Sequence, residues 1–212
     1  MPTLVSNGLT SESRVKDKLG LSGSTLDTII KRMIYGVSEF IHKQCSTPSF
    51  KRATITDEIY NGSFPNTEKT NNILILKRNG VTAVSAVKYN AGTQASPSWV
   101  TMSASDYTVD YETGMIHFAG VMPRGIGNIT VSYTAGYLID FANEFDSELH
   151  TLPYELSELA ERLVTKALKR RESEGRSNET FNGSTITWGA MLEDADKTIL
   201  ANYRRGFIAW LN

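Results

Sequence analysis

Apolar residues recur along this chain with two different periods, and the change of period divides it. Between residues 24 and 45, Leu26, Ile29, Ile30, Met33, Ile34, Val37 and Ile41 fall at the three- and four-residue spacing that lines one face of a helix. Ser24 is placed to cap that helix, with Asp27 three residues on, and Pro48 ends the pattern. A shorter helix is expected over residues 11–20, stopped by Gly20. From residue 53 to 137 the period falls to two. Thr54, Thr56, residues 73–76, Val84, Val87, Tyr89, Tyr107, Val109, Ile116, Phe118, Ile129, Val131 and Tyr133 are the β-branched, aliphatic and aromatic types that suit a pleated surface. Asn61-Gly62, Asn79-Gly80, Thr113-Gly114 and the Gly125-Ile-Gly127 hairpin turn punctuate them. About five to seven short antiparallel strands are therefore expected, with polar surface loops at residues 63–72 and 90–98.

Helical spacing returns after an acidic stretch carrying Asp140, Glu144, Asp146 and Glu148. Pro153 presets a first turn, and Leu156, Leu159, Ala160, Leu163, Val164, Ala167 and Leu168 form one apolar face. Glu155, Glu158 and Glu161 precede Arg162, Lys166, Lys169, Arg170 and Arg171, the order that a helix dipole favours. A Gly/Ser/Asn-rich stretch with a β-like island at residues 185–188 follows. The last helix then sets Leu192, Ala195, Ile199 and Tyr203 on one side. This order predicts an α+β protein: a helical bundle of N-terminal (1–52) and C-terminal (138–212) helices, with an antiparallel β-rich insert over residues 53–137.

Charge and composition narrow the function classes. The 22 basic and 23 acidic side chains leave a formal charge of -1, so no global field draws the chain to nucleic acid or an anionic membrane. Its apolar runs are far shorter than the ~20 residues of a membrane-spanning helix. The opening segment has no basic stretch leading into an apolar one, so a secretory signal is not expected. The single cysteine, Cys45, excludes an internal disulfide framework and fits a reducing compartment.

Catalytic chemistry finds little support. His42, His117 and His150 lie in different predicted elements, with no HExxH or CxxC spacing, so no metal and no cofactor is expected. His42 and Cys45 sit one turn apart, but a surface histidine and a small buried thiol describe them better than an activated nucleophile. Asp106, Asp110 and Glu112 alternate along a predicted strand without a matching carboxylate elsewhere. The acidic stretch lacks the ligand order of a calcium loop. No catalytic residue is assigned and the chain is not expected to be an enzyme. One segment stands out. Phe207, Ile208, Trp210 and Leu211 follow the last helix, where chains usually turn polar. They either fold back onto the chain's own core or anchor in a groove on a partner.

Several short stretches together resemble the head-tail connector (adaptor) proteins of tailed bacteriophages, over most of the chain. Val15-Lys-Asp-Lys-Leu-Gly20, then Leu26-Asp27 and the helix through Ile41, is similar to their opening helix pair. Tyr107-Thr-Val-Asp110 with Thr113-Gly-Met-Ile116 resembles their hairpin, and Val131-Ser-Tyr-Thr-Ala-Gly-Tyr137 resembles the end of a following strand. Leu152-Pro153 before a long helix with a basic end, and Tyr203-Arg-Arg205, complete the series. The tail after Arg205 is more apolar than the family pattern, and Gly80-Val81 stands where a Pro-Val is common.

This resemblance implies a homo-oligomeric ring, commonly of twelve subunits, seated under the portal protein in the virion neck. It would join a tail or tail-completion protein and continue the DNA channel with only passive DNA contact and no membrane. Synthesis in the host bacterial cytoplasm is implied as well. On that reading Phe207, Ile208, Trp210 and Leu211, with Arg204 and Arg205, are candidates for portal docking. Phe40, Tyr154 and Trp188 are candidates for the subunit interface. A tail terminator or completion protein shares the ring logic. A carbohydrate-binding β module is the binding-class rival, motivated by Trp99, Tyr107, Tyr111 and Tyr133.

Overall fold

Helices and antiparallel sheets fall into two units in the computed structural model, Met1–Thr47 with Ile139–Asn212 and Pro48–Leu138. The structure describes residues 7–62, 72–172, 178–181, 184–187 and 192–204. The chain is thus a mixed α+β protein. No helix among the described residues is long and apolar enough to cross a membrane.

In the first unit, α1 (Glu12–Leu19) starts where the Ser11 side chain accepts from Arg14 N and ends on Gly20 at φ 63°. There Gly20 N reaches Asp17 O at 3.2 Å and Leu21 N reaches Lys16 O at 3.0 Å, which satisfies the last carbonyls. Helix α2 (Asp27–Gln44) buries Ile30, Ile34, Val37 and Ile41, as the spacing predicts. Its start differs from the expectation. Leu26, not Ser24, occupies the cap position and supplies no side-chain bond; Ser24 contributes its backbone carbonyl to Asp27 N at 3.2 Å. The Asp27 carboxylate pairs with Lys16 of α1 instead, so tertiary pairing replaces the local cap. Helix α3 (Tyr154–Glu172) buries Leu156, Leu159, Ala160, Leu163 and Val164 and packs against α1 and α2.

Helix α4 (Asp194–Tyr203) is rotated from the predicted face. Asp196 and Leu200 are its buried residues, Ala195 is exposed, and Leu192 lies ahead of the helix. The reason is electrostatic: Asp196 pairs with Arg162 of α3 and lies 3.8 Å from Lys166 Nζ, which turns a carboxylate inward. Strands β8 (Asn178–Phe181) and β9 (Ser184–Thr187), numbered after the seven of the second unit, pair as an antiparallel hairpin between α3 and α4.

The second unit holds β1 (Ala53–Tyr60), β2 (Ile73–Ile75), β3 (Val81–Asn90), β4 (Trp99–Thr101), β5 (Tyr107–Asp110), β6 (Met115–Phe118) and β7 (Ile129–Ala135). They form two antiparallel sheets, ordered β1-β7-β3-β4 and β2-β6-β5, over one apolar cluster that includes Leu74, Leu76, Val87, Ile116, Phe118, Ile129 and Val131. Thr113-Gly114 closes the β5–β6 hairpin as expected. Gly125-Ile-Gly127 does not make a hairpin, because β6 and β7 belong to different sheets. That segment crosses over and is tied to the end of β1, with Gly127 N bonded to Asn61 Oδ1 at 2.8 Å and Gly62 N to Gly125 O at 2.8 Å.

Candidate functional site

The segment leading into α3 builds the most distinctive surface of the helical unit. Asp140 caps a single 3-10 turn, Phe141–Asn143, by accepting from Ala142 N at 3.0 Å. Asp140 N in turn donates to His150 Nδ1 at 3.1 Å, and the His150 ring lies 5.1 Å from that of Phe141. Bonds from Asn143 and Ala142 hold the Asp140 carboxyl below its usual range. Asp146 accepts from Glu148 N at 2.9 Å. Two of the acidic residues of this stretch are thus spent on local backbone.

Glu144 is used differently. Arg14 of α1 bonds Glu144 Oε2 through Nη1 at 2.8 Å and Glu161 Oε2 of α3 through Nε at 2.9 Å, and Nη1 also lies 3.2 Å from Ser157 Oγ. Lys18 adds a contact to Glu161 Oε1 at 3.0 Å. The Arg14 guanidinium carbon sits 5.3 Å from the centre of the Tyr154 ring, within cation–π range. Together they shape a pocket of about 170 Å³ walled by Arg14, Glu144, Phe145, His150, Leu152 and Tyr154. Its rim is apolar and wet: Phe145 is 93% exposed, Tyr154 64%, and Leu149 of the same segment 46%. A phenyl ring so exposed gains little from the hydrophobic effect in the isolated chain.

Of the residues singled out from sequence, Tyr154 lies on this pocket, Phe40 is half-buried on α2, and Arg204 is exposed just after α4. Arg205, Phe207, Ile208, Trp210, Leu211 and Trp188 lie outside the described residues. Sequence reasoning missed Arg14 and Phe145. The available signal for Phe145 was a lone aromatic between Glu144 and Asp146.

Other chemistry resolves into structural roles. His42 is buried, at 2% exposure, and is not the surface residue expected, because α2 turns it inward beside Ile41. Burial pushes the Cys45 thiol up to about 11, and Cys45 Sγ donates to Leu200 O at 3.7 Å, so the thiol stays protonated at neutral pH. Asp106, Asp110 and Glu112 do not share a strand face. Asp106 closes a capping box with Ser103, while Asp110 accepts from Glu112 N at 3.0 Å and Thr113 Oγ1 at 2.5 Å in the β5–β6 turn. Of the aromatic set behind the glycan reading, Tyr133 is 1% exposed, and Trp99 and Tyr107 stand on different sheets. Among the described residues, no three His, Cys, Asp or Glu side chains converge as metal ligands.

The β unit has its own buried polar group. Glu58 Oε2 accepts from both Tyr60 and Tyr133 hydroxyls at 2.5 Å, and Lys77 Nζ lies 4.7 Å over the Tyr60 ring. Burial, and then the bond to Glu58, raises both phenols. The unfolded chain ionises these tyrosines from about pH 10 while the fold holds them neutral, so their stabilising contribution is complete below that pH and is lost above it. Urea unfolding at about pH 8 and about pH 11 should show a smaller alkaline loss for Tyr60→Phe than for the parent. Equal losses would contradict this linkage.

No curated protein matches this sequence. Six chains of solved structures match. One belongs to the neck of an empty GTA particle computed with C6 symmetry; at TM-score 0.50 and 14% identity it covers 91% of this chain and 87% of its own, a likeness of fold. The sequence pattern that defines the head completion proteins runs from residue 8 to residue 206, taking in both units and every residue around the Arg14 pocket, and the chain therefore belongs to the head completion protein family.

Proposed function

We propose that this chain is a non-catalytic structural subunit of the neck, a connector that joins the phage head to the tail. The observation that carries this reading is the family match over residues 8–206. The chain order supports a helical bundle drawn from both ends of the chain, with residues 53–137 as its β-rich insert. Copies assemble into a closed ring through unlike surfaces, Phe40, Tyr154 and Trp188 contributing to the contacts. A twelve-subunit ring is compatible with the sixfold operator used for the GTA neck. The ring sits below the portal protein, receives a tail or tail-completion protein beneath it, and continues the DNA channel. A formal charge of -1 suits that channel, since dense Lys/Arg would hold DNA by counterion release. The particle neck is its place of action, after synthesis in the host cytoplasm.

Phe207, Ile208, Trp210 and Leu211, flanked by Arg204 and Arg205, dock on the portal, where a buried aromatic anchor contributes about 2 kcal/mol or more. Mass measurement of the purified chain, alone and mixed with isolated portal, tests the assignment. Portal-bound rings are expected from the full chain, and deletion of residues 206–212 is expected to abolish binding with the fold intact. Unchanged binding by the deletion removes the docking role of the tail. Binding to isolated tail tube in preference to portal overturns the connector placement.

A further inference from the structure

Helix α2 carries a second stripe, opposite the one it buries. Arg32, Gly36, Glu39 and Lys43 recur at helical spacing with Tyr35 beside Gly36, and all five are exposed, Tyr35 at 43%. Gly36 stands mid-helix, where glycine is the poorest former after proline. Nothing among the described residues accounts for it. Its φ is not positive, and a β-carbon there would meet no atom within 4 Å. The absent side chain leaves a notch beside the Tyr35 ring, the kind of gap that lets another surface approach the backbone closely.

Phe145 has the shape of the missing knob. It stands 93% exposed in a segment tied to α1 by the Arg14–Glu144 bond at 2.8 Å. Knob and notch do not touch within one subunit, since the space over Gly36 is open. Their charges are complementary. Asp146 and Glu148 follow the knob, exposed and without an ion pair among the described residues. Arg32 and Lys43 flank the notch, equally without an acidic partner there, and outnumber Glu39, which lies 3.6 Å from His42 Nδ1.

We propose that Phe145 of one copy of this chain packs into the Gly36 notch of the next, against Tyr35, with Asp146 and Glu148 facing Arg32 and Lys43. The two surfaces are unlike, so the contact repeats head to tail around an axis until it closes. This inference rests on the ring reading above and names its junction. Tyr154, on the pocket wall with Phe145, and Phe40, one turn past Gly36, border the contact.

The test uses two full-length variants, Phe145→Ser to remove the knob and Gly36→Gln to fill the notch. Phe145 is exposed and glutamine is the better helix former, so the isolated variants are expected to keep the parent's circular dichroism, with the thermal midpoint of Gly36→Gln at or above the parent's. Sedimentation velocity follows each protein at rising concentration, alone and mixed with isolated portal. Parent rings are expected. Each variant alone is expected to need about ten-fold more protein, or more, to assemble. An equimolar mixture of the two is expected to stop at a dimer, because one junction joins an intact knob to an intact notch and the other end of each pair is blocked. Variants that assemble like the parent overturn this junction and leave the ring reading standing. So does a mixture that associates no better than either variant alone. A parent that stays monomeric even with portal removes the ring reading, and the junction with it.

Discussion

Replacing Gly136 by alanine is expected to cost the β unit about 3 kcal/mol of stability, one of the two largest effects foreseen for a point substitution in this chain. Gly136 has φ 100°, and a β-carbon there would lie 2.5 Å from Lys51 O and 2.7 Å from Arg52 N. No side-chain rotation relieves contacts made by backbone, so the strand end must move. Movement strains the bonds that stitch this corner: Gly136 N to Asn79 O at 2.9 Å, Arg52 N to Tyr137 O at 2.8 Å, and Tyr137 N to Phe50 O at 2.7 Å. Gly23→Ala is the control, since Gly23 at φ 84° has nothing within 4 Å of the added carbon and incurs only the left-handed penalty of about 1 kcal/mol. Urea unfolding of both variants decides the matter. A Gly136→Ala loss no larger than the Gly23→Ala loss would mean that the Lys51–Tyr137 corner yields freely.

Asp196→Ala is expected to destabilise the helical unit by about 2–3 kcal/mol and to loosen α4 from α3. The carboxylate is fully buried, holds Arg162, and accepts Glu193 N at 2.9 Å as half of the capping box at the start of α4. Alanine leaves two cations and a helix-start N–H without that acceptor. The effect stays below that of a fully enclosed ion pair because the Arg162 side chain is one-third exposed and can turn to water. Asp196→Asn keeps an acceptor for the cap and should lose about half as much. Cys45 provides a local readout, because its thiol is covered by Leu200 O of the same helix. The rate of thiol labelling at neutral pH should rise in Asp196→Ala well before global unfolding. Labelling as slow as in the parent would show that α4 is held by its apolar contacts alone.

The family motif around Gly136 illustrates how far local sequence reaches. The Val131–Tyr137 stretch reads as a strand ending in a glycine, and the structure gives that glycine its reason: another backbone passes at the position a side chain would fill. Periodicity likewise located α2 and α3, because each buries one stripe of aliphatic residues at helical spacing. Where the reading of charged residues failed, a partner on another helix had intervened: Asp27 abandons a local cap for Lys16, and Asp196 rotates α4 toward Arg162. His42 was misplaced for a different reason, since the face of α2 that carries Ile41 turns it inward. The candidate site shows the same limit. Tyr154 was named from sequence, but its pocket depends on Arg14 meeting Glu144 and Glu161 across 130 and 147 residues of chain.

What the sequence determined by itself was the order and type of the elements and the family, since these follow from hydrophobic spacing, turn residues and short motifs, all local in the chain. Only the tertiary structure decided which strands share a sheet, which face of α4 is inward, and that Arg14, Phe145 and Tyr154 enclose one pocket. Those outcomes depend on charges and backbones that meet across long loops, and no spacing along the sequence encodes the distance between them.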